Sequence, residues 1–375
     1  MKGYLNVSAP REQRRPMIGV MLPGTNAVEI FAATVEMVKE FDFLIYLPNI
    51  DGKARAAFDR LEARFTTDIS FFILNAAQLD VVLTFGCLPH VAHGNLLLLT
   101  ALMREIGVTV LDIQHGLYQW GINFTDDSRE QGYSGTSGIS MPISTLADQQ
   151  ITWAGVNGIG YPRYKREHLA QPQSHAPILV ATNTNWHIYG EEDRYRFRHI
   201  LRQLFCSLPR TRFIWKPHPA EWSPTNPVLL ELINAIRAEP KDFPNVTLVG
   251  GGQGDQSTLT ELIGRCRAGI ATVGTAVIDF EMLRKPCAIF ECGAVSSLNA
   301  HFVRKDQFGN LKQLLIWLKA LEEDTPPPVT GQLVPFDQTA LVSYISEAVS
   351  RTSSLRVSSE RLLPILMRYQ RLACC

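Results

Sequence analysis

Short, almost wholly apolar runs alternate with helical stretches along most of this chain, and the alternation breaks once and then restarts. Met17–Leu22, Phe43–Leu47, Asp80–Phe85 and Val108–Ile113 read as strands, with Gln149–Trp153 as a fifth. Ala27–Lys39, Gly52–Arg64 and Ala92–Ile106 read as the helices between them. Runs that are apolar on both faces, separated by amphipathic helices, mark a parallel sheet covered on both sides. Gln-Pro-Gln-Ser-His at 171–175 interrupts the pattern, and Pro177 begins it again. Strands are then expected at Pro177–Ala181, Arg212–Trp215, Val246–Val249, Ala268–Thr272 and Cys287–Phe290. The helices between them fall at Glu191–Cys206, Val228–Arg237, Leu259–Cys266 and Ala276–Leu283. The expected fold class is therefore α/β, with two Rossmann-like, doubly wound domains.

A length of 375 residues suits two such domains. The expected division is a polar N-terminus at 1–16, a first domain at 17–170, a second at 171–325, and a linker with a helical tail at 326–375. Asn123–Ser144, rich in Gly, Ser and Asp, is long enough to be a lid or a disordered segment. Lys plus Arg equals Asp plus Glu at 36 each, so no global basic field points to nucleic acid. The seven cysteines show no CxxC or Cys/His ligand spacing, and reduced thiols with no metal site are expected. Met1–Pro16 lacks the apolar stretch of a secretory signal, and no apolar run is long enough to span a bilayer. The expected location is cytoplasmic. The tail carries Arg356, Arg361, Arg368 and Arg371 among Leu362, Leu363, Ile365, Leu366 and Met367, with Pro364 interrupting. Such a segment either rests on anionic lipid at the inner face of the membrane or packs back across a domain.

Ligands of open α/β sheets bind beyond the carboxyl ends of the strands. In the second half those positions are polar. Thr182-Asn183-Thr184-Asn185 offers hydroxyls and backbone N–H groups to an anion, or else caps a helix. Lys216-Pro217-His218-Pro219-Ala220-Glu221 places a His between two prolines on stiff backbone beside a cation, which suits a phosphate leaving group. Gly250-Gly251-Gly252 allows close approach of backbone to a base or ribose, or is a plain loop. Thr272-Val273-Gly274-Thr275 leads into a helix whose N-terminus favours phosphate, and Glu281 farther along could accept from ribose hydroxyls. In the first half, His115 stands at the exit of the fourth strand, as a general base, a group that binds acceptor or donor phosphate, or hydrogen-bonded scaffold, while Asp112 lies within the strand and either serves the site or points into structure.

Gln114-His115-Gly116, Gly160-Tyr161-Pro162-Arg163, Lys216-Pro217-His218-Pro219 and the stretch from Thr272-Val273-Gly274-Thr275 to Lys285-Pro286 occur in a familiar order. In this the chain resembles, over roughly Met17 to Glu291, the bacterial GT-B glycosyltransferases of surface polysaccharide synthesis. That group takes in capsule-type Kdo transferases, sialyltransferases and CDP-glycerol glycerophosphotransferases. The resemblance implies two domains facing a cleft, with donor phosphate bound by His218 and Pro219. The group's Ser-Ser or Ser-Thr pair is replaced here by Gly274-Thr275. It also implies a carboxylate base in the first domain, for which Asp112, Asp126 and Asp127 are candidates, and metal-independent chemistry without a cofactor. The expected activity is transfer of a sugar, such as CMP-activated Kdo or sialic acid, from a nucleotide-sugar donor to a glycan or glycolipid acceptor. Polyol-phosphate transfer, sugar-nucleotide epimerisation and an inactive nucleotide-binding scaffold are the alternatives.

Overall fold

The computed structural model describes residues 14–24, 27–36, 38–85, 94–114, 147–151, 153, 158–162, 176–184, 189–224, 227–251, 257–291, 307–322 and 336–374. The first sheet comprises β1 (Met17–Met21), β2 (Asp42–Tyr46), β3 (Arg64–Thr66), β4 (Val81–Thr84), β5 (Val110–Ile113) and β6 (Gln149–Ile151). Its strands are all parallel and lie in the order β3-β2-β1-β4-β5-β6. The helices α1 (Val28–Val35), α2 (Gly52–Arg60), α3 (Ile69–Asn75) and α4 (Gly94–Glu105) connect them. Asp51 and Asp68 start α2 and α3 by accepting from Ala54 N–H and Ser70 N–H. β1 is buried along its whole length because both faces are covered. Ile18 and Val20 enter one core with Phe31 and Phe58, while Met17 and Met21 enter another with Phe72 and Leu99.

The second sheet repeats the plan. It comprises β7 (Ile178–Thr182), β8 (Phe213–Pro217), β9 (Val246–Leu248), β10 (Ala268–Ala271), β11 (Cys287–Phe290) and β12 (Gln307–Phe308). The order is β12-β11-β10-β7-β8-β9, again all parallel. Its helices are α5 (Glu191–Ser207), α6 (Pro227–Ala238), α7 (Leu259–Arg265), α8 (Thr275–Met282) and α9 (Leu311–Glu322). Three acidic residues, Glu191, Glu192 and Asp193, occupy the first turn of α5, where the helix dipole favours them. Thr258 and Glu261 form a capping box that fixes the start of α7.

The polypeptide crosses from the first sheet to the second near 158–162 and returns near 336–337. The two crossings touch: Asp337 N–H donates to Ile159 C=O at 2.7 Å. Asp337 then caps α10 (Gln338–Leu355) through Ala340 N–H, and α11 (Ser359–Ala373) follows. Both helices pack on the first sheet's unit, α10 against β4 and α11 against α3 and α4. Thr352 accepts from Thr109 N–H at 2.9 Å, and Arg356 donates to Ala77 C=O at 2.5 Å and to Leu79 C=O. The tail therefore takes the second of its two expected courses, with Leu366 and Tyr369 buried and Arg368 paired with Glu105. Leu363, Met367 and Leu372 face outward. Among the described residues no helix is long and apolar enough to cross a membrane.

Four of the cysteines lie in described residues and all are free: Cys266 and Cys287 buried, Cys206 and Cys374 exposed. Burial pushes the Cys266 thiol up to about 11, so it stays protonated at pH 8 and is a poor nucleophile. Alkylation of the native protein at pH 8, mapped by mass spectrometry, is expected to label Cys206 and Cys374 and to spare Cys266 and Cys287 until denaturant is added.

Candidate functional site

In the second sheet β7 is laid down first, with β8 and β9 on one side and β10 to β12 on the other. The chain thus reverses direction across the sheet between β7 and β10. A crevice forms at such a reversal, beyond the carboxyl ends of the strands. The exits of β7, β8 and β10 surround it, and β8 and β10, flanking β7, lie about 10 Å apart. Asn183, His218, Gly274 and Thr275 gather there.

His218 ends β8. Its N–H donates to Thr182 C=O at 2.9 Å, continuing the parallel ladder, and Pro219 then turns the chain into a single 3-10 turn ending at Trp222. The fixed φ of proline suits the first position of such a turn. The imidazole closes the turn itself, since Nδ1 accepts from Ala220 N–H at 3.2 Å. An accepting Nδ1 puts the ring proton of neutral histidine on Nε2, as an outward donor. The side chain reaches solvent yet is ringed by protein, and that desolvation holds its pKa below the usual imidazole value. At neutral pH His218 is a hydrogen-bond donor without charge. Lys216, two residues earlier, sends Nζ to Ser257 C=O at 3.0 Å, tying β8 to the entry of α7.

On the other side of β7, the segment from Thr272 to Gly274 is fixed twice. Asn183 N–H donates to Thr272 Oγ1 at 2.7 Å, and Tyr189, itself buried, accepts Val273 N–H at 2.7 Å. Gly274 is the N-cap residue of α8 and has no side chain with which to cap it. Its backbone is extended there, and a Cβ added to it would meet nothing within 4 Å. The residue is therefore replaceable: Gly274→Ser is expected to change stability by less than about 0.5 kcal/mol, read from the denaturant midpoint.

The Thr182–Thr184 turn departs from expectation. Its N–H groups are engaged inside the protein, Asn183 with Thr272 and Thr184 with Glu221 Oε1 at 2.7 Å. As an anion nest its N–H groups are filled; among the described residues the start of α8 and the His218 ring remain as groups suited to phosphate. Glu221, expected among donor-binding residues, is fully buried beneath the site rather than lining it. Gly251 lies at the exit of β9 with φ +67°, and a Cβ there would meet Trp222 at 2.7 Å. Its lack of a side chain serves that turn and its packing on Trp222, over which Arg237 stacks at 4.4 Å. Glu281 is 5% exposed in the second turn of α8.

Asp112 stands in β5, opposite Thr84 on one side and Gln150 on the other, and is 3% exposed. Sealed within the sheet, it does not present a carboxylate to an acceptor, as a cleft-facing base must. His115, Asn185, Asp126 and Asp127 lie outside the described residues, as does the 123–144 segment. Tyr161 acquires a role that sequence did not assign. It packs on Trp153, ring to ring at 4.9 Å, and donates to Asp279 on α8 at 2.5 Å. The chain crossing is thereby bolted to the helix whose start faces the crevice. Among the described residues no cluster of metal-ligating side chains occurs.

No protein-family model matches the chain, and no curated protein matches it in sequence. Solved structures share its fold. A UDP-GlcNAc 2-epimerase from Methanocaldococcus jannaschii, in complex with UDP-GlcNAc and UDP, superimposes with a TM-score of 0.54 at 10% identity, over 88% of this chain and 99% of that one. The MnaA–UDP co-structure from S. aureus gives a TM-score of 0.54 at 11% identity, over 90% and 98%. A UDP-GlcNAc 2-epimerase from Neisseria meningitidis bound to UDP-GlcNAc gives 0.53 at 12%, over 90% and 99%. The architecture is therefore that of the GT-B fold, with two parallel six-stranded sheets and flanking helices.

Proposed function

We propose that this chain is a sugar-nucleotide enzyme that seats the donor's phosphates between the His218 ring and the start of α8. The observation that carries this reading is the pairing of those two groups across the exit of β7, with the competing turn at 182–184 already filled. A neutral Nε2–H donor and an uncapped helix N-terminus both favour an oxyanion, and both strengthen as negative charge builds on a departing phosphate. Thr275 adds a hydroxyl at the first position of the helix.

Of the reactions that begin with such a donor, epimerisation of the sugar on its own nucleotide is the reading we favour. Its support is the full-length likeness to 2-epimerases that hold UDP or UDP-GlcNAc. Glycosyl transfer to a surface glycan or glycolipid is the second reading. The ordered motifs around His218 and Gly274-Thr275 favour it, and it brings a cytidine-linked donor in place of a uridine one.

Incubation with UDP-GlcNAc alone, followed by proton NMR, separates the two. Appearance of the C2 epimer without an acceptor supports epimerisation. Consumption of a CMP-sugar only in the presence of a glycan acceptor supports transfer. A thermal-shift panel of CMP, CDP, UDP, GDP and ADP tests the common ground, because a ligand bound only by the native state must raise Tm. No shift at millimolar ligand with folded protein would overturn the nucleotide-binding reading.

A further inference from the structure

Glu221 is fully buried, yet it is among the most heavily engaged side chains of the second sheet. Oε1 accepts from Thr184 N–H at 2.7 Å and from Thr184 Oγ1–H at 2.8 Å. Oε2 accepts from Thr182 Oγ1–H at 2.5 Å and from His218 N–H at 3.0 Å. Thr182 Oγ1 in turn accepts from Trp215 Nε1–H at 3.1 Å. One carboxylate thus joins the exits of two adjacent strands, β7 through Thr182 and Thr184 and β8 through His218. The same side chain completes the capping box of the 3-10 turn whose other half is the His218 ring. A buried carboxylate is costly unless its lone pairs are satisfied, and here four donors satisfy it. Backbone at both strand exits is consequently held at fixed spacing before any ligand arrives.

We infer that Glu221 is a positioning residue: it touches no ligand but clamps the β7 and β8 exits together so that the His218 ring is held in one orientation and one tautomer. The inference rests on the proposed role of His218 only for its consequence in binding; the clamp itself is a statement about the ligand-free protein. Supporting groups of this kind commonly matter about 10- to 100-fold to the site they orient.

An amide cannot replace this carboxylate. Whichever way a glutamine turned, its NH2 would face either Thr184 N–H or His218 N–H, donor against donor. Glu221→Gln should therefore break one half of the clamp and Glu221→Ala both. The test reads the His218 imidazole by 15N NMR in the ligand-free full-length chain, and then the Kd of the nucleotide that gives the largest thermal shift. Wild type is expected to show one tautomer, protonated at Nε2. Glu221→Ala is expected to show exchange between tautomers and a Kd raised roughly 10-fold or more, with Glu221→Gln between the two. Should the alanine variant fail to fold, Thr184→Val removes one donor to Oε1 and keeps the backbone, and the same tautomer exchange is expected in it.

An unchanged His218 spectrum in Glu221→Gln and in Thr184→Val would overturn the clamp. If both variants keep that spectrum while His218→Ala abolishes binding, the clamp fails and the site assignment stands. If no nucleotide binds wild type, the site assignment fails, and the ligand-free spectrum alone decides the clamp.

Discussion

His218→Ala is expected to lower turnover on the order of 10²-fold or more, the cost of removing one preorganised donor from a developing oxyanion, with Tm close to that of wild type. The two effects separate because the ring is exposed and does not fill the core. What truncation removes internally is a single acceptor for Ala220 N–H, which water can replace at the surface. What it removes from the crevice is the outward Nε2–H. The measurement is kcat/KM on whichever donor the protein turns over, with the nucleotide-induced thermal shift alongside. Retention of near-normal values for both would show that phosphate binds elsewhere.

Gly269→Ala is expected to be the most damaging small substitution in the second sheet. Gly269 lies in β10, and the ring of Phe280 from α8 rests directly on its backbone. A Cβ there would meet three atoms of that ring, the nearest at 2.1 Å. Neither partner can yield, since Phe280 is fully buried and the strand is paired on both sides. Overpacking of this kind costs up to about 3 kcal/mol and sometimes more. The strain also has a direction, because lifting α8 from the sheet carries Gly274 and Thr275 with it. Loss of stability in a denaturant titration should therefore be accompanied by loss of nucleotide binding in whatever protein remains folded. Shortening the ring in a Gly269→Ala, Phe280→Leu double variant should recover part of both, the non-additivity that residues in contact display. If the single variant were as stable as wild type, this packing of α8 would be wrong.

The fold was legible where strands are apolar on both faces. β1, β4, β5, β7, β10 and β11 are such strands, and all were expected within a residue or two of where they lie. Of the four edge strands, β6 and β9 were expected and β3 and β12 were not. β3 is the half-exposed Arg-Phe-Thr at 64–66, absorbed by sequence reasoning into the end of a helix. β12 is two residues long. Edge strands of two or three residues are too short to leave a pattern. Nor was α3 expected, since its seven residues are too few to show a helical period.

The site divides in the same way. His218 stood out because flanking prolines announce stiff backbone at a strand exit, and it lies at that exit. The function of Glu221 was not, because nothing in Pro-His-Pro-Ala-Glu shows that the carboxylate folds back under Thr184, 37 residues away. The turn at 182–184 looked open to a ligand for the same reason: its occupants come from distant parts of the chain, Thr272 being 89 residues from Asn183. The roles of Tyr189 and Tyr161 left no local signal, since each rests on a long-range hydrogen bond. For Asp112 the depth of burial was not legible, because position in a strand does not reveal how far a short carboxylate is covered by the layers above it.

The return of α10 and α11 to the first sheet also governs the order of events during synthesis. The buried pairing of Thr109 with Thr352 spans 243 residues. The strands of the first sheet emerge from the ribosome early, but α11, which covers α3 and α4, is made only after the whole of the second sheet. At about 5–20 residues per second, the first unit waits on the order of ten seconds or longer with part of its core uncovered, while the second can close on itself as soon as β12 and α9 are made. The unit translated first is thus completed after the second, and a truncation ahead of α10 would leave the first sheet, not the second, exposed to aggregation and proteolysis.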